Sequence, residues 1–247
     1  YAAKRRSQKS SVRTRQLPGV SPLVFSRFLL EKTAFLSLSD MGKALPSYEE
    51  IPIACRMDEA VQSEYKRIEN ALVQVLRSDR RVAQKILSAY LNLLTVYPDQ
   101  PYDQKPILYP DSDIPIVKPE SIGDADCLGE KELRTLEIVK AAIQNGERAL
   151  IYTSWVRTDS QQNLKKLLTD EGYRTEILTD KIKTTDREDW VQKKLAAGMQ
   201  VLIVNPSLVE TGLDLNAFTT LVFYSMGYKL FTLRQASRRS WRINQKA

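Results

Sequence analysis

Histidine is absent from the 247 residues. Serine-histidine triads, zinc sites of the histidine type and histidine acid-base chemistry are therefore excluded together. Cysteine occurs twice, as Cys55 and Cys127, without a C-x-x-C pair and too sparsely to complete a zinc site without histidine. Both read as reduced thiols. No apolar run approaches the ~18 residues of a membrane span; the longest, around Ile86 to Val96, is broken by Ser88, Asn92 and Thr95. There is no signal-peptide pattern, and the chain opens on Tyr1 rather than methionine, so it reads as a piece of a longer, cytoplasmic or nuclear polypeptide with no membrane partner.

Two nucleotide-binding motifs are also missing. In Met41-Gly42-Lys43-Ala44, Ser37 occupies the position of the first glycine of a phosphate-binding loop and Ala44 that of the magnesium-binding hydroxyl. No G-x-G-x-x-G follows the first strand of the expected sheet, where Thr153-Ser154-Trp155-Val156-Arg157 stands instead. No metal-ligating constellation is expected either.

What is present has a globular balance, 43% hydrophobic and 27% charged, with an uneven distribution of charge. Residues 1–16 hold six basic side chains and no acid, and residues 215–247 hold another six, again with no acid. The remainder has 25 basic against 30 acidic residues, so the net charge of +7 comes from the two ends. That pattern suits local anion contacts. The N-terminal run, taken alone, reads as a frayed, solvated tail.

The first half reads as mostly helical. Asp58 is placed to cap a helix carrying Val61, Tyr65, Ile68, Leu72 and Val75, and a second helix fits residues 82–97. Short strand signals fall at residues 33–38 and 51–55. Pro98, Pro101, Pro106, Pro110, Pro115 and Pro119 then punctuate an acidic stretch that reads as a flexible linker over residues 97–128. The expected division is 1–128, a helical connecting region with short strands and this linker, and 129–247.

From Lys131 onward, short apolar strands alternate with amphipathic helices: helix 131–144, strand 149–153, helix 159–169, strand 175–178, helix 186–197, strand 201–204, strand 220–224 and a closing helix from about Leu230. This predicts an α/β fold, a mainly parallel sheet with helices on both faces. Asp159 is placed to cap, Gly172 and Gly198 to stop, helices. Ligands gather at the carboxyl ends of such strands, here Thr153-Ser154-Trp155, Thr179-Asp180, Asn205-Pro206-Ser207 and Ser225-Met226. On the closing helix, Gln235, Arg239 and Arg242 fall within roughly a 60° arc, while Leu230, Leu233 and Trp241 lie opposite as the expected packing face. Guanidinium forks suit phosphate oxygens.

Several segments in this order resemble the second RecA-like lobe of superfamily-two helicases and translocases, and most closely the Swi/Snf-type DNA-dependent ATPases. Ala149-Leu150-Ile151-Tyr152-Thr153-Ser154-Trp155 resembles motif IV, Ser207 to Leu215 with Gly212-x-Asp214 resembles motif V, and Gln235-x-x-x-Arg239-x-x-Arg242-Ile243-x-Gln245 resembles motif VI. Thr185-x-Arg187 matches a further family feature, and Leu45-Pro46-Ser47-Tyr48-Glu49-Glu50, Met57 and Gln62-Ser63-Glu64-Tyr65 are similar to the stretch that leaves the first lobe. The sequence departs from the family at Arg238, where glycine or aspartate is usual and where extra positive charge is expected to crowd the site, and at Glu210-Thr211, where small residues are usual.

The resemblance implies a RecA-like lobe and ATP with Mg2+, bound mainly by a first lobe absent from this chain. It implies that Arg239 is an arginine finger, Arg242 its partner and Gln235 an orienting amide. Gly212 would allow close backbone approach to the nucleotide, with Asp214 near the ribose. Ser154, Ser207 and Thr211 would hold the phosphodiester backbone of duplex DNA, although the same hydroxyls suit ordinary turn capping. Without the phosphate loop the isolated chain is expected not to hydrolyse ATP. Two other readings remain: a helicase-like scaffold that has lost turnover, suggested by Arg238 and Glu210, and an unrelated nucleotide-binding α/β domain.

Overall fold

Apolar residues at three- and four-residue spacing fold the segment after Asp58 into α2 (Glu59–Ser78), which buries Val61, Ile68, Leu72 and Val75. These pack against Ala83, Ile86, Tyr90 and Leu93 of α3 (Arg80–Val96). A single residue, Asp79, joins the helices: its backbone closes α2, and its carboxylate accepts from the Arg81 and Val82 amides at 2.9 and 3.1 Å as the N-cap of α3. Asp58 holds the N-cap position of α2, yet its side chain makes no capping bond.

The computed structural model describes residues 2–6, 12–16, 21–34, 47–124, 127–154, 159–209, 213–227 and 230–240. Residues 1–44 and 45–247 form two separate units. In the first, β1 (Ala2–Arg6) pairs antiparallel with β2 (Val12–Gln16). Residues 2–6 and 12–16 of the basic run thus form a ribbon where a frayed tail was expected. Pro22, whose missing N–H suits a first helical position, opens the short α1 (Pro22–Val24), which continues as a π turn over Phe25–Leu29 and a 3-10 turn over Leu30–Lys32. Of the expected strand at 33–38, Thr33 and Ala34 are irregular; residues 35–38 lie outside the described set.

In the second unit the expected strand at 51–55 is irregular. Ile51 and Ile53 are 69% and 48% exposed, and no strand among the described residues pairs with them, so the alternation has no sheet to join. The proline-rich stretch differs from a flexible linker. It forms a hairpin of β3 (Ile107–Leu108) and β4 (Pro115–Val117) whose Ile107 and Val117 are buried against α2 and α3. Buried Glu64 fastens it, accepting from the Glu120 amide at 2.9 Å and from Arg67 at 2.6 and 2.7 Å, while Arg67 also donates to the Lys118 carbonyl at 2.6 Å. Burial works against the Glu64 charge, but the Arg67 guanidinium and the Glu120 amide outweigh it and hold the carboxyl below its ordinary value.

Beyond Gly129 run α4 (Glu130–Gln144), β5 (Ala149–Tyr152), α5 (Ser160–Asp170), β6 (Thr175–Leu178), α6 (Arg187–Ala196), β7 (Val201–Val204), β8 (Thr220–Phe223) and α7 (Leu230–Ser240). The four strands are parallel in the order β6-β7-β5-β8. Alternate residues feed two cores. Leu150, Tyr152, Leu202 and Val204 pack with Val191 and Phe218, while Ala149, Ile151, Val201 and Ile203 pack with Val139, Leu164 and Leu168. This is the RecA-like arrangement expected. Gly172 and Gly198 end α5 and α6 with φ of 88° and 87°, where a side chain would be strained. Among the described residues no helix is long and apolar enough to cross a membrane, and Cys55 and Cys127 are free and exposed.

The helical region and the sheet share one buried polar junction. Lys131, in the first turn of α4, pairs with Asp99 and lies 4.3 Å from the Tyr224 ring centre. The Tyr224 hydroxyl donates to Glu132, whose other oxygen accepts from the Gly129 amide at 3.1 Å. Burial, then the Glu132 charge, pushes the Tyr224 hydroxyl far above its ordinary value, so it remains a donor. Asn163 donates to the Tyr102 hydroxyl at 2.6 Å, and the Asp159 amide donates to the Gln100 side chain at 3.2 Å. Asp159 occupies the N-cap position of α5 without a side-chain capping bond.

Candidate functional site

Parallel strands end their ladders at one rim, and the exposed carbonyls and amides there need partners. Here the loops supply them to one another. Beyond β5, the Ser154 amide donates to the Ser225 hydroxyl at 2.8 Å and the Ser154 hydroxyl donates to the Ser225 carbonyl at 3.0 Å. Beyond β7, the Asn205 side-chain amide donates to the Ser154 carbonyl at 3.0 Å. The Asn205 carbonyl oxygen accepts from the Ser207 amide and hydroxyl at 2.9 and 2.6 Å, an Asx turn that opens the 3-10 turn Pro206–Leu208. The ends of β5, β7 and β8 are thereby tied together.

Arg187 fixes the next loop. Placed at the start of α6, it donates to the Ile182 carbonyl at 3.2 Å and to the Leu208 carbonyl at 2.9 Å, joining the segment after β6 to the turn after β7. Thr185 donates to Asp186 at 2.7 Å. The matched Thr185-x-Arg187 feature is therefore a brace between loops.

The helix α7 packs on the Pro206–Leu208 turn. Among its described residues the buried stripe is Thr232, Ala236 and Ser240, which the expected packing face of Leu230, Leu233 and Trp241 does not include. Leu233 is half-buried, the Leu230 side chain and Trp241 lie outside the described set, and Phe231 is 72% exposed. Small residues let the helix approach the sheet, and the Tyr152 hydroxyl at the end of β5 donates to the Ala236 carbonyl at 3.0 Å. Tyr152→Phe is expected to lower stability by about 1 kcal/mol in urea unfolding. An unchanged midpoint would show that this bond contributes nothing.

Of the predicted site residues, Gln235 is half-buried on α7 and Arg239 follows it by one helical turn within the same helix. Asp214 is half-buried, and its carboxylate accepts from the Asn216 amide and side chain at 3.1 and 3.2 Å, closing its own turn. The Ser207 hydroxyl donates within its own turn to Asn205, whereas the Ser154 hydroxyl donates across the sheet rim to the Ser225 carbonyl. Thr211, Gly212 and Arg242 lie outside the described residues, as does Glu210. Arg238 is exposed, with its guanidinium 5.4 Å from the Tyr48 ring centre. The Tyr48 hydroxyl donates to Glu50 at 2.5 Å. Burial, then Glu50, raises the Tyr48 pKa above its ordinary value. The Arg238 cation, expected to crowd the arginine site, lies over the Tyr48 ring, while the Arg239 side chain and Arg242 lie outside the described set.

The segment from Leu215 to the end contains basic and amide groups and no carboxylate, a donor set that fits phosphate oxygens. Among the described residues no group of three His, Cys, Asp or Glu side chains could hold a metal ion. Sequence reasoning placed Tyr152 and Ser225 at strand ends but gave neither its partner, because those contacts run across the sheet. Asn205-Pro206-Ser207 did carry a local signal, since an Asx turn is written in that order of residues.

Residues 131–244 match the family described as the helicase conserved C-terminal domain. Over these residues the chain is similar to a helicase C-terminal lobe. Its fold is that of the C-terminal part of the Fun30 ATPase domain, with a TM-score of 0.58 at 12% identity over 78% of this chain and 79% of that one. It is also that of the Sulfolobus solfataricus SWI2/SNF2 ATPase C-terminal domain, with a TM-score of 0.52 at 17% identity over 69% of this chain and 68% of that one. No curated protein sequence matches significantly. Of the segments that resemble family motifs, Ala149 to Ser154 lies on β5 and just beyond it, the stretch from Ser207 begins at the turn after β7, and Gln235 and Arg239 lie on α7, while residues 155–158, 210–212 and 241–245 lie outside the described set.

Proposed function

We propose that this lobe is the C-terminal motor lobe of an ATP-dependent DNA helicase or translocase of Swi/Snf type. The observation that carries the reading is the seating of α7: a small-residue stripe and the Tyr152–Ala236 bond hold the helix bearing Gln235 and Arg239 against the end of β5 and the turn after β7. ATP, with Mg2+, supplies the phosphoryl bond whose hydrolysis drives the cycle, and a first lobe of the same polypeptide holds most of it. Arg239 then acts as the finger that meets charge on the terminal phosphate, Arg242 supports it, and Gln235 orients by its amide. Gly212 allows close backbone approach, and Asp214, released from Asn216, reaches the ribose.

Duplex DNA is the proposed partner at the rim formed by the loops of Ser154, Ser207 and Thr211. Ser154 and Ser207 serve as phosphate donors there only by exchanging their present acceptors, so loop backbone position carries as much of the grip as the hydroxyls. The working division is 1–128 as connecting region and 129–247 as motor lobe, in a cytoplasmic or nuclear setting.

The test is ATP turnover by the intact polypeptide with and without duplex DNA at two salt concentrations. DNA-stimulated turnover that weakens with salt is expected. Retained DNA binding without turnover under any condition would replace the motor by a scaffold, and turnover indifferent to DNA would remove nucleic acid from the reading.

A further inference from the structure

We propose that the N-terminal ribbon is a second nucleic-acid-binding site, one that grips the phosphates of a duplex by charge. It rests on the reading above only for the identity of the polyanion. In the ladder of β1 and β2, Arg5 stands directly across from Arg13, Ala3 from Arg15 and Lys4 from Thr14. Residues directly opposite in an antiparallel pair share a face, and faces alternate along each strand. Arg5, Arg13 and Arg15 therefore share one face of the ribbon, and Lys4 and Arg6 the other. No acid occurs before Glu31.

This arrangement is unfavourable for an isolated protein. Two strands alone are marginal in water, and like charges placed opposite one another oppose the pairing. A polyanion reverses both objections, because neutralising the arginines removes the repulsion and couples ribbon formation to binding. The dimensions agree with a duplex. Arg13 and Arg15 are two residues apart, about 6.8 Å along a strand, or about two axial phosphate steps of one DNA strand. A two-stranded ribbon also fits the major groove. The arginines lie on a face that carries no acid, so the site reads charge rather than sequence.

The experiment is fluorescence anisotropy of a short DNA duplex titrated with the 247-residue chain across a salt series. It compares wild type with the triple variant Arg5→Gln, Arg13→Gln, Arg15→Gln and with the corresponding triple lysine variant. Three lost phosphate contacts reduce the log–log salt slope by about 2.7, so between roughly 50 and 200 mM salt the glutamine variant is expected to lose about 40-fold less affinity than wild type, from a weaker start. The lysine variant is expected to keep the wild-type slope. A glutamine variant with the wild-type slope would overturn the ribbon site while leaving the lobe reading intact, as would stronger binding to polyglutamate than to DNA. Absence of DNA-stimulated turnover in the intact polypeptide, with the slope change still present, would overturn the lobe reading and leave the ribbon.

Discussion

Replacing Arg239 by alanine is expected to lower DNA-stimulated ATP turnover of the intact polypeptide by about 10³-fold or more, the usual effect of removing an arginine finger. The expectation follows from the sequence position of Arg239, one turn beyond Gln235 on a helix whose neighbouring stripe of Thr232, Ala236 and Ser240 is buried and anchored to β5. A finger stabilises charge that develops during phosphoryl transfer, so the loss should fall on kcat, with little change in DNA affinity. Lysine should not restore the rate, since a point charge cannot reproduce two fixed, diverging N–H donors. Arg238→Ala is the internal control: its guanidinium is exposed against Tyr48, and a change within a few-fold is expected for so peripheral a contact. An Arg239→Ala enzyme within tenfold of wild type would end the finger assignment. Equal losses at both positions would point to general electrostatics across α7.

The second large effect concerns stability. Asp99 has a side chain only 3% exposed, and its charge is met by Lys131. Burial raises the Asp99 pKa above its ordinary value, with Lys131 pulling in the opposite direction. Lys131→Met keeps much of the side-chain volume and removes the charge, leaving a buried carboxylate without its cation; a loss of about 3–5 kcal/mol at neutral pH is expected. The sign of the pH dependence follows from linkage. A carboxyl whose folded pKa is raised binds more protons folded than unfolded, so stability falls as pH rises through the window above the unfolded value. Removing Lys131 lifts the folded value further. The variant should therefore recover stability relative to wild type on acidification toward the ordinary aspartate range. Chemical unfolding of both proteins at several pH values measures this, and a small, pH-independent difference would mean that water already solvates Asp99.

The legible parts of the fold were those written in local chemistry. The central strands β5 and β7 are apolar on both faces, as strands covered by helices on each side must be, and Gly172 and Gly198 occupy left-handed backbone that few other residues accept. The unreadable parts depended on distant partners. Ile51 and Ile53 alternate like a strand but meet no sheet edge. The prolines of 98–119 forbid helix and say nothing about Ile107 and Val117 finding the groove beside α2 and α3. At the site, the sequence placed Gln235 and Arg239 on one helix, yet the expected packing face left out its buried small residues. Large side chains signal burial by composition, whereas Thr232, Ala236 and Ser240 are buried because the helix comes close. Likewise Ser154 was visible as a hydroxyl at a strand end, but its present acceptor, the Ser225 carbonyl, became apparent only with the strands in place.

The bonds linking Ser154, Ser225 and Asn205 bear on mechanics. A load applied at any one of these loops is shared among three strands whose backbones resist stretching, and Arg187 extends the same frame to a fourth loop through the Leu208 carbonyl. The described part of the rim is thus cross-braced at four loops, so a displacement of any one of them is passed to its neighbours through hydrogen bonds.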